Sequence, residues 1–144
     1  MNRIETGGDR RIDRRTFCLL AANLAVAAGV SAQGPQFETL TQWLAASQKM
    51  RDGALQACID RIRSLDGDIQ AWVQVLPQKP TGNGALRGVP FGVKDIIETR
   101  GLATEYGSPI YKGRIGTADA AIVRQLRQRG GVLLGKTQST AFAY

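Results

Sequence analysis

Apolar positions along the chain recur with two different spacings, and the changes between them mark out the elements. Leu40, Trp43 and Leu44 predict a short first helix. Leu55, Cys58, Ile59, Ile62 and Leu65 fall at i, i+3, i+4, i+7 and i+10, one stripe of a second helix that Gly67 is expected to end. Trp72-Val73-Gln74-Val75-Leu76 has the β-branched and aromatic content of a strand. The stretch from Pro77 to Gly84, with Pro80 and the Gly82-Asn83-Gly84 turn, reads as an exposed loop. Val89 to Ile97 gives the next strand, and Gly101 to Gly116, rich in glycine and without periodicity, a winding surface segment.

Thr117 is placed to cap a third helix, Asp119 suits its positive first turn, and Gly130-Gly131 stops it after Leu126. Val132-Leu133-Leu134 then reads as a buried strand, and Thr137 to Tyr144 as the start of another helix. Strand, helix, strand in this order predicts an α/β fold with parallel pairing in part of its sheet. A chain of 144 residues, 43% hydrophobic and 22% charged, is enough for one core.

The longest apolar stretch, Phe17 to Val30, is interrupted by Asn23 and falls short of the roughly 20 residues that span a bilayer. Arg10, Arg11, Arg14 and Arg15 precede it, and Val30-Ser31-Ala32 offers small residues to a signal peptidase. Residues 1–32 therefore read as a signal peptide, with the mature chain starting at Gln33 and no stable membrane span after cleavage. Arg14-Arg15-Thr16-Phe17 followed by Cys18-Leu19-Leu20 resembles the twin-arginine export signal, which places the product in the periplasm or outside the cell. An uncleaved anchor or an over-extended N-terminus are the alternatives, and a signal left unused would leave the chain cytoplasmic.

Residues 33–144 carry 14 basic and 9 acidic side chains, a net charge of +5. Nucleic-acid binders gather basic residues on one face with aromatics between them; Arg114, Arg124, Arg127 and Arg129 read instead as a solvated helix face, and no nucleic-acid partner is expected. Cys58, the one thiol left after Cys18 departs with the signal, sits at core spacing. The chain has no histidine, which excludes the usual hydrolytic triads and most zinc sites. Acid–base chemistry must then come from carboxylates, lysine or tyrosine, and no metal or cofactor site is expected.

Gly130-Gly131-Val132-Leu133-Leu134-Gly135-Lys136-Thr137 satisfies the phosphate-loop pattern G-x-x-x-x-G-K-[ST]. That motif needs a preceding strand and a flexible loop whose N–H groups wrap phosphate, whereas here a helix precedes and three of the four intervening residues are apolar. Those residues read as a strand. Gly82-x-Gly84 lacks the strand-to-helix junction of a dinucleotide site and reads as a turn, and Tyr106 and Tyr111 as half-buried packing.

Lys94 stands out by its setting, in a short apolar strand bounded by glycines. Burying its charge without a partner is costly, so the amine is either ion-paired, with Asp95 or another acid, or shifted toward neutrality. A neutral amine can act as a general base, since a lysine pKa of about 10.4 in water falls by several units on desolvation. From Lys94 alone both readings stand.

The wider sequence favours the base. Gly88-Val89-Pro90-Phe91-Gly92-Val93-Lys94-Asp95, then Tyr106-Gly107-Ser108-Pro109, then Asp119 to Arg127 leading into Gly130-Gly131-Val132-Leu133-Leu134-Gly135-Lys136-Thr137, together resemble the amidase signature family. The resemblance implies a mixed β-sheet covered by helices that hydrolyses small-molecule amides through a nucleophilic serine, a second serine on a cis peptide bond, and a lysine that Lys94 matches. The neutral amine draws a proton through the bridging serine, an acyl-enzyme forms, and backbone N–H groups stabilise the oxyanion.

Both serines belong, in similar proteins, to a Gly-Gly-Ser-Ser segment some tens of residues beyond the Gly-Lys-Thr stretch. No such segment occurs in this chain, and neither Ser108 nor Ser139 lies in a matching motif. Residues 33–144 are thus expected to be the N-terminal portion of an amidase domain, inactive alone; the alternative is an exported, non-catalytic binding module derived from an amidase. Gln138 replaces the family's more usual asparagine and Ala141 its glutamate, which leaves the substrate subgroup open. The resemblance extends to amidases that supply ammonia to tRNA-bound amino acids, but an export signal fits a secreted hydrolase of small amides better. Oligomeric state is not legible.

Overall fold

The structure is a computed structural model that describes residues 34–144. The signal peptide read over residues 1–32, Cys18 and the start at Gln33 lie outside the described residues.

Helix α1 (Leu40–Ala45) begins with a capping box: Thr39 Oγ1 accepts from the Gln42 N–H, and the Gln42 side chain accepts from the Thr39 N–H. Its Trp43 is buried, edge-on to Phe37 at 5.4 Å. Helix α2 (Gln48–Ile69) runs through Gly67, where the sequence predicts its end. The stop comes at Gln70, left-handed at φ 54°, whose N–H donates to the Asp66 carbonyl at 2.7 Å. Asp66 then takes the N–H groups of Ala71 and Trp72 on its carboxylate, so a side-chain acceptor sets the exit from the helix.

Strands β1 (Trp72–Gln78), β2 (Pro90–Lys94) and β3 (Val132–Thr137) form a sheet in the order β1-β3-β2, β1 antiparallel and β2 parallel to β3. The crossover from β2 to β3 carries α3 (Ala121–Gln128). This is the expected α/β arrangement, a small mixed sheet with helices. β3 is buried from Val132 through Lys136 and separates two apolar clusters. Leu133 packs with Val93, Leu102 and Val123 beneath α3. Val132 and Leu134 pack with Ile59 of α2, joined by Leu55, Cys58, Ile62 and Trp72. Cys58 is therefore a packing residue, its thiol pushed up by burial and drawn partly back by Arg61.

Alternation along β3 slips at Gly135. Phe91 pairs with Leu133 but Gly92 with Gly135, so one residue of β3 is extra. Gly135 has φ 150°, and a Cβ there would run into the Gln74 carbonyl oxygen, so the bulge requires glycine. After the bulge Val93 pairs with Lys136 and Lys94 with Thr137.

Elsewhere the expected elements shift. β2 ends at Lys94, and the chain turns so that the Ile97 N–H donates to the Lys94 carbonyl at 2.9 Å, ending the strand three residues before its predicted close. Thr117 does not cap α3. Ala120 occupies the cap with no side-chain bond, and the Thr117 N–H donates instead to Glu98. β1 includes Pro77, which the sheet accommodates on an outer strand with shifted register. The turn at Gly82–Gly84 docks on the end of α3, where Thr81, Leu86 and Gly88 N–H groups take the Arg127, Arg129 and Gly130 carbonyls. Thr137 closes β3, and the predicted final helix is a single 3-10 turn, Ala141–Ala143.

Candidate functional site

Lys94 lies at the C-terminal end of β2, beside the central strand. Paired residues share a face of a pleated sheet and successive residues alternate. Lys94 thus shares its face with Thr137, while its neighbour Val93 shares the other with Lys136. Lys94 is exposed, Val93 is buried, and Lys136 is fully buried. The buried lysine expected in this sheet is present, one strand away from the position that the sequence suggests.

In the sequence Lys136 stands only as a phosphate-loop lysine. The residues before it form β3, with no loop to wrap phosphate, and its ammonium is fully engaged within the fold. Nζ donates to the carbonyls of Asp95 at 3.1 Å and Ile97 at 2.6 Å and to Thr104 Oγ1 at 3.2 Å. An ammonium has three N–H groups, and each has an acceptor. Burial lowers its pKa from 10.5 to about 8; the nearby negative charges of Asp95 and Glu98 work against that shift, and Arg114 adds to it.

Asp95 is fully buried and does not pair with Lys94. Its two carboxylate oxygens accept separately, Oδ1 from the Glu105 N–H at 2.8 Å and Oδ2 from the Gly107 N–H at 2.6 Å, while its own N–H extends the ladder to the Thr137 carbonyl at 2.9 Å. Two main-chain donors and the Lys136 ammonium together offset the cost of a buried carboxylate. The Gly101–Gly116 segment, expected to wind over the surface, is drawn inward as a result: Leu102 and Thr104 are fully buried, and Ala103 and Ser108 nearly so.

Around this centre, Glu98 pairs with Arg114 at 2.9 Å, which holds its carboxyl below the usual range. Arg114 also lies over the Tyr106 ring, 5.1 Å from its centroid. It is therefore neither on a helix nor without aromatic company, unlike the solvated face predicted for it. Arg127 pairs with Asp119 at 2.9 Å, both side chains largely buried. Tyr106, Tyr111 and Phe142 form a ring cluster, with the two tyrosines edge-on at 5.1 Å. A cleft of about 300 Å³ opens beside Asp95 and includes Ser108, Lys112, Gln138 and Ser139. Ser139 Oγ donates to the Thr140 carbonyl, so its proton is engaged by the main chain and not by a base. Among the described residues no cluster of three potential metal ligands occurs.

Comparison with known proteins bears out the family resemblance. The amidase family model matches residues 53–144. A glutamyl-tRNA(Gln) amidotransferase subunit of Chromohalobacter salexigens is 35% identical over 101 residues, covering 61% of this chain and 21% of the relative. An amidase of Pseudomonas putida is 33% identical over 118 residues, covering 73% and 25%. Among solved structures, the corresponding glutamyl-tRNA(Gln) amidotransferase subunit of Thermotoga maritima superposes with a TM-score of 0.62 at 28% identity, covering 69% of this chain and 22% of that one. The allophanate hydrolase of Kluyveromyces lactis gives 0.54 at 26% identity, covering 73% and 20%. The chain spans about a fifth to a quarter of the length of the curated relatives it matches. With a family model matched across well over half of its length and the fold of that family in its described residues, this chain belongs to the amidase family.

Proposed function

We propose that this chain supplies the base-bearing part of an amidase site, with Lys94 as the general base for a serine that the 144 residues do not contain. The observation that carries this reading is the placement of Lys94. It ends the parallel strand β2, its side chain is free of ion pairs among the described residues, and the main chain on either side of it is fixed by the β3 ladder and by the Lys94–Ile97 turn. A base works only in its neutral form, and desolvation favours a neutral amine. Lys94 is exposed in residues 34–144, so the segment that brings the nucleophile would also have to cover it.

The substrate class is a small carboxylic amide. Relatives named as an amidase and as a glutamyl-tRNA(Gln) amidotransferase subunit both match, and the twin-arginine pattern of residues 1–32 supports an exported hydrolase over a partner in translation. Positioning one base without a nucleophile and oxyanion hole leaves no covalent route. The purified 144-residue chain is therefore expected to give no turnover of a simple aryl amide above a no-protein control. Turnover abolished by Ser108→Ala or Ser139→Ala would place the nucleophile inside this chain and overturn the reading.

A further inference from the structure

The turn after Lys94 is held by groups on the opposite face of the sheet. Its carbonyls at Asp95 and Ile97 both accept from Lys136 Nζ, its closing bond runs from the Ile97 N–H to the Lys94 carbonyl, and Asp95 fastens it to Glu105 and Gly107. Lys136 reaches these partners from the adjacent strand, across 39 and 41 positions of sequence.

We propose that Lys136 and Asp95 are positioning residues, a buried brace that fixes the Lys94–Ile97 turn and, through it, the direction in which the Lys94 side chain leaves β2. Lys136 does more than fill the core. An apolar side chain would fill the same space without three directed bonds, and a buried lysine costs stability that such a side chain would not. Two of the bonds end on main-chain carbonyls within three residues of Lys94. Removing either brace residue also orphans buried polar groups of the turn or of the segment at 105–107, so the turn loses its single geometry as well as its stability. The inference rests on the reading of Lys94 as the base, since a site that transfers protons needs its base held to within about 0.5 Å.

The test uses the full chain labelled with carbon-13 and nitrogen-15. The charged groups facing Lys136 are Asp95, Glu98 and Arg114, and Glu98 and Arg114 hold each other charged. When Lys136 loses its proton, one of its three acceptors loses its donor. The Lys94 carbonyl carbon and the Asp95 and Ile97 amide nitrogens are expected to titrate with a midpoint near 8 in the wild type and to stop doing so in Lys136→Met. Thr104→Val, which removes one acceptor of the ammonium, should move the wild-type midpoint lower. Signals at 94, 95 and 97 that stay flat across pH 6.5–9.5, or that titrate equally in Lys136→Met, would overturn the proposal. If Lys136→Met fails to fold, the wild-type and Thr104→Val titrations decide it. This measurement reads the main chain at Lys94 and not turnover, so it can fail while Lys94 remains the base, and can succeed if Lys94 is not.

Discussion

Two lysines from neighbouring strands, Lys94 and Lys136, occupy opposite faces of one sheet, and their surroundings divide the labour between them. Lys94 is exposed and unpaired among the described residues; Lys136 is sealed in and spends every donor on the fold. The pattern that singles out Lys94 in the sequence, a lysine in an apolar strand, holds equally for Lys136 after Val132-Leu133-Leu134. There the Gly-Lys-Thr pattern masks it, and no local signal reveals acceptors more than 30 residues away. The downward shift of the Lys136 pKa gives a direct test. Its folded pKa, about 8, lies below the ordinary 10.5, so between those values the unfolded chain holds more protons and stability must rise with pH. Below about pH 8 the full cost of the buried charge is present; above about 10.5 it is gone. Urea unfolding from pH 7 to 10.5 should show this rise, about 3 kcal/mol across that range, and Lys136→Met should lack it. A wild-type profile parallel to that of Lys136→Met would contradict the assignment.

At the scale of elements, apolar spacing recovers α1 and α2, strand-forming composition recovers the three strands, and the Gly130-Gly131 stop recovers the end of α3. α2, α3 and the strands read well because each puts apolar side chains into the clusters on either side of β3. What these signals miss is set by side-chain acceptors. Asp66 carries α2 past Gly67, Glu98 takes the Thr117 N–H that would otherwise belong to a cap, and Asp95 draws in a segment whose glycines suggest surface. The bulge at Gly135 is also invisible in the sequence, since Gly135 reads as part of a Gly-Lys-Thr turn. It reverses the alternation of β3, and without it Lys136 would face α2 and Lys94 would lose its register with Thr137. Gly135→Ala places a Cβ against the Gln74 carbonyl at a φ that alanine avoids. The expected cost is more than about 2 kcal/mol in denaturant unfolding, with loss of the β1–β3 ladder bonds in hydrogen exchange. A change below about 0.5 kcal/mol would show that the bulge is not held as described.

Across the whole molecule three features meet: a family match over residues 53–144, a strand-end lysine on the parallel pair, and the absence from the 144 residues of any Gly-Gly-Ser-Ser segment. Family and fold are legible in the sequence because three motifs in order specify more than any one of them. The brace behind Lys94 is not, because its bonds run between motifs. If Lys94 is the base, its effect must appear once a nucleophile is supplied. The most direct measurement replaces the aligned stretch of the Pseudomonas putida amidase with residues 53–144 of this chain and compares kcat/KM for an aryl amide before and after Lys94→Ala. The chimera is expected to be active and to lose at least about 100-fold on that substitution, the lower bound for removing a general base. An active chimera whose Lys94→Ala variant stays within about threefold would contradict that role.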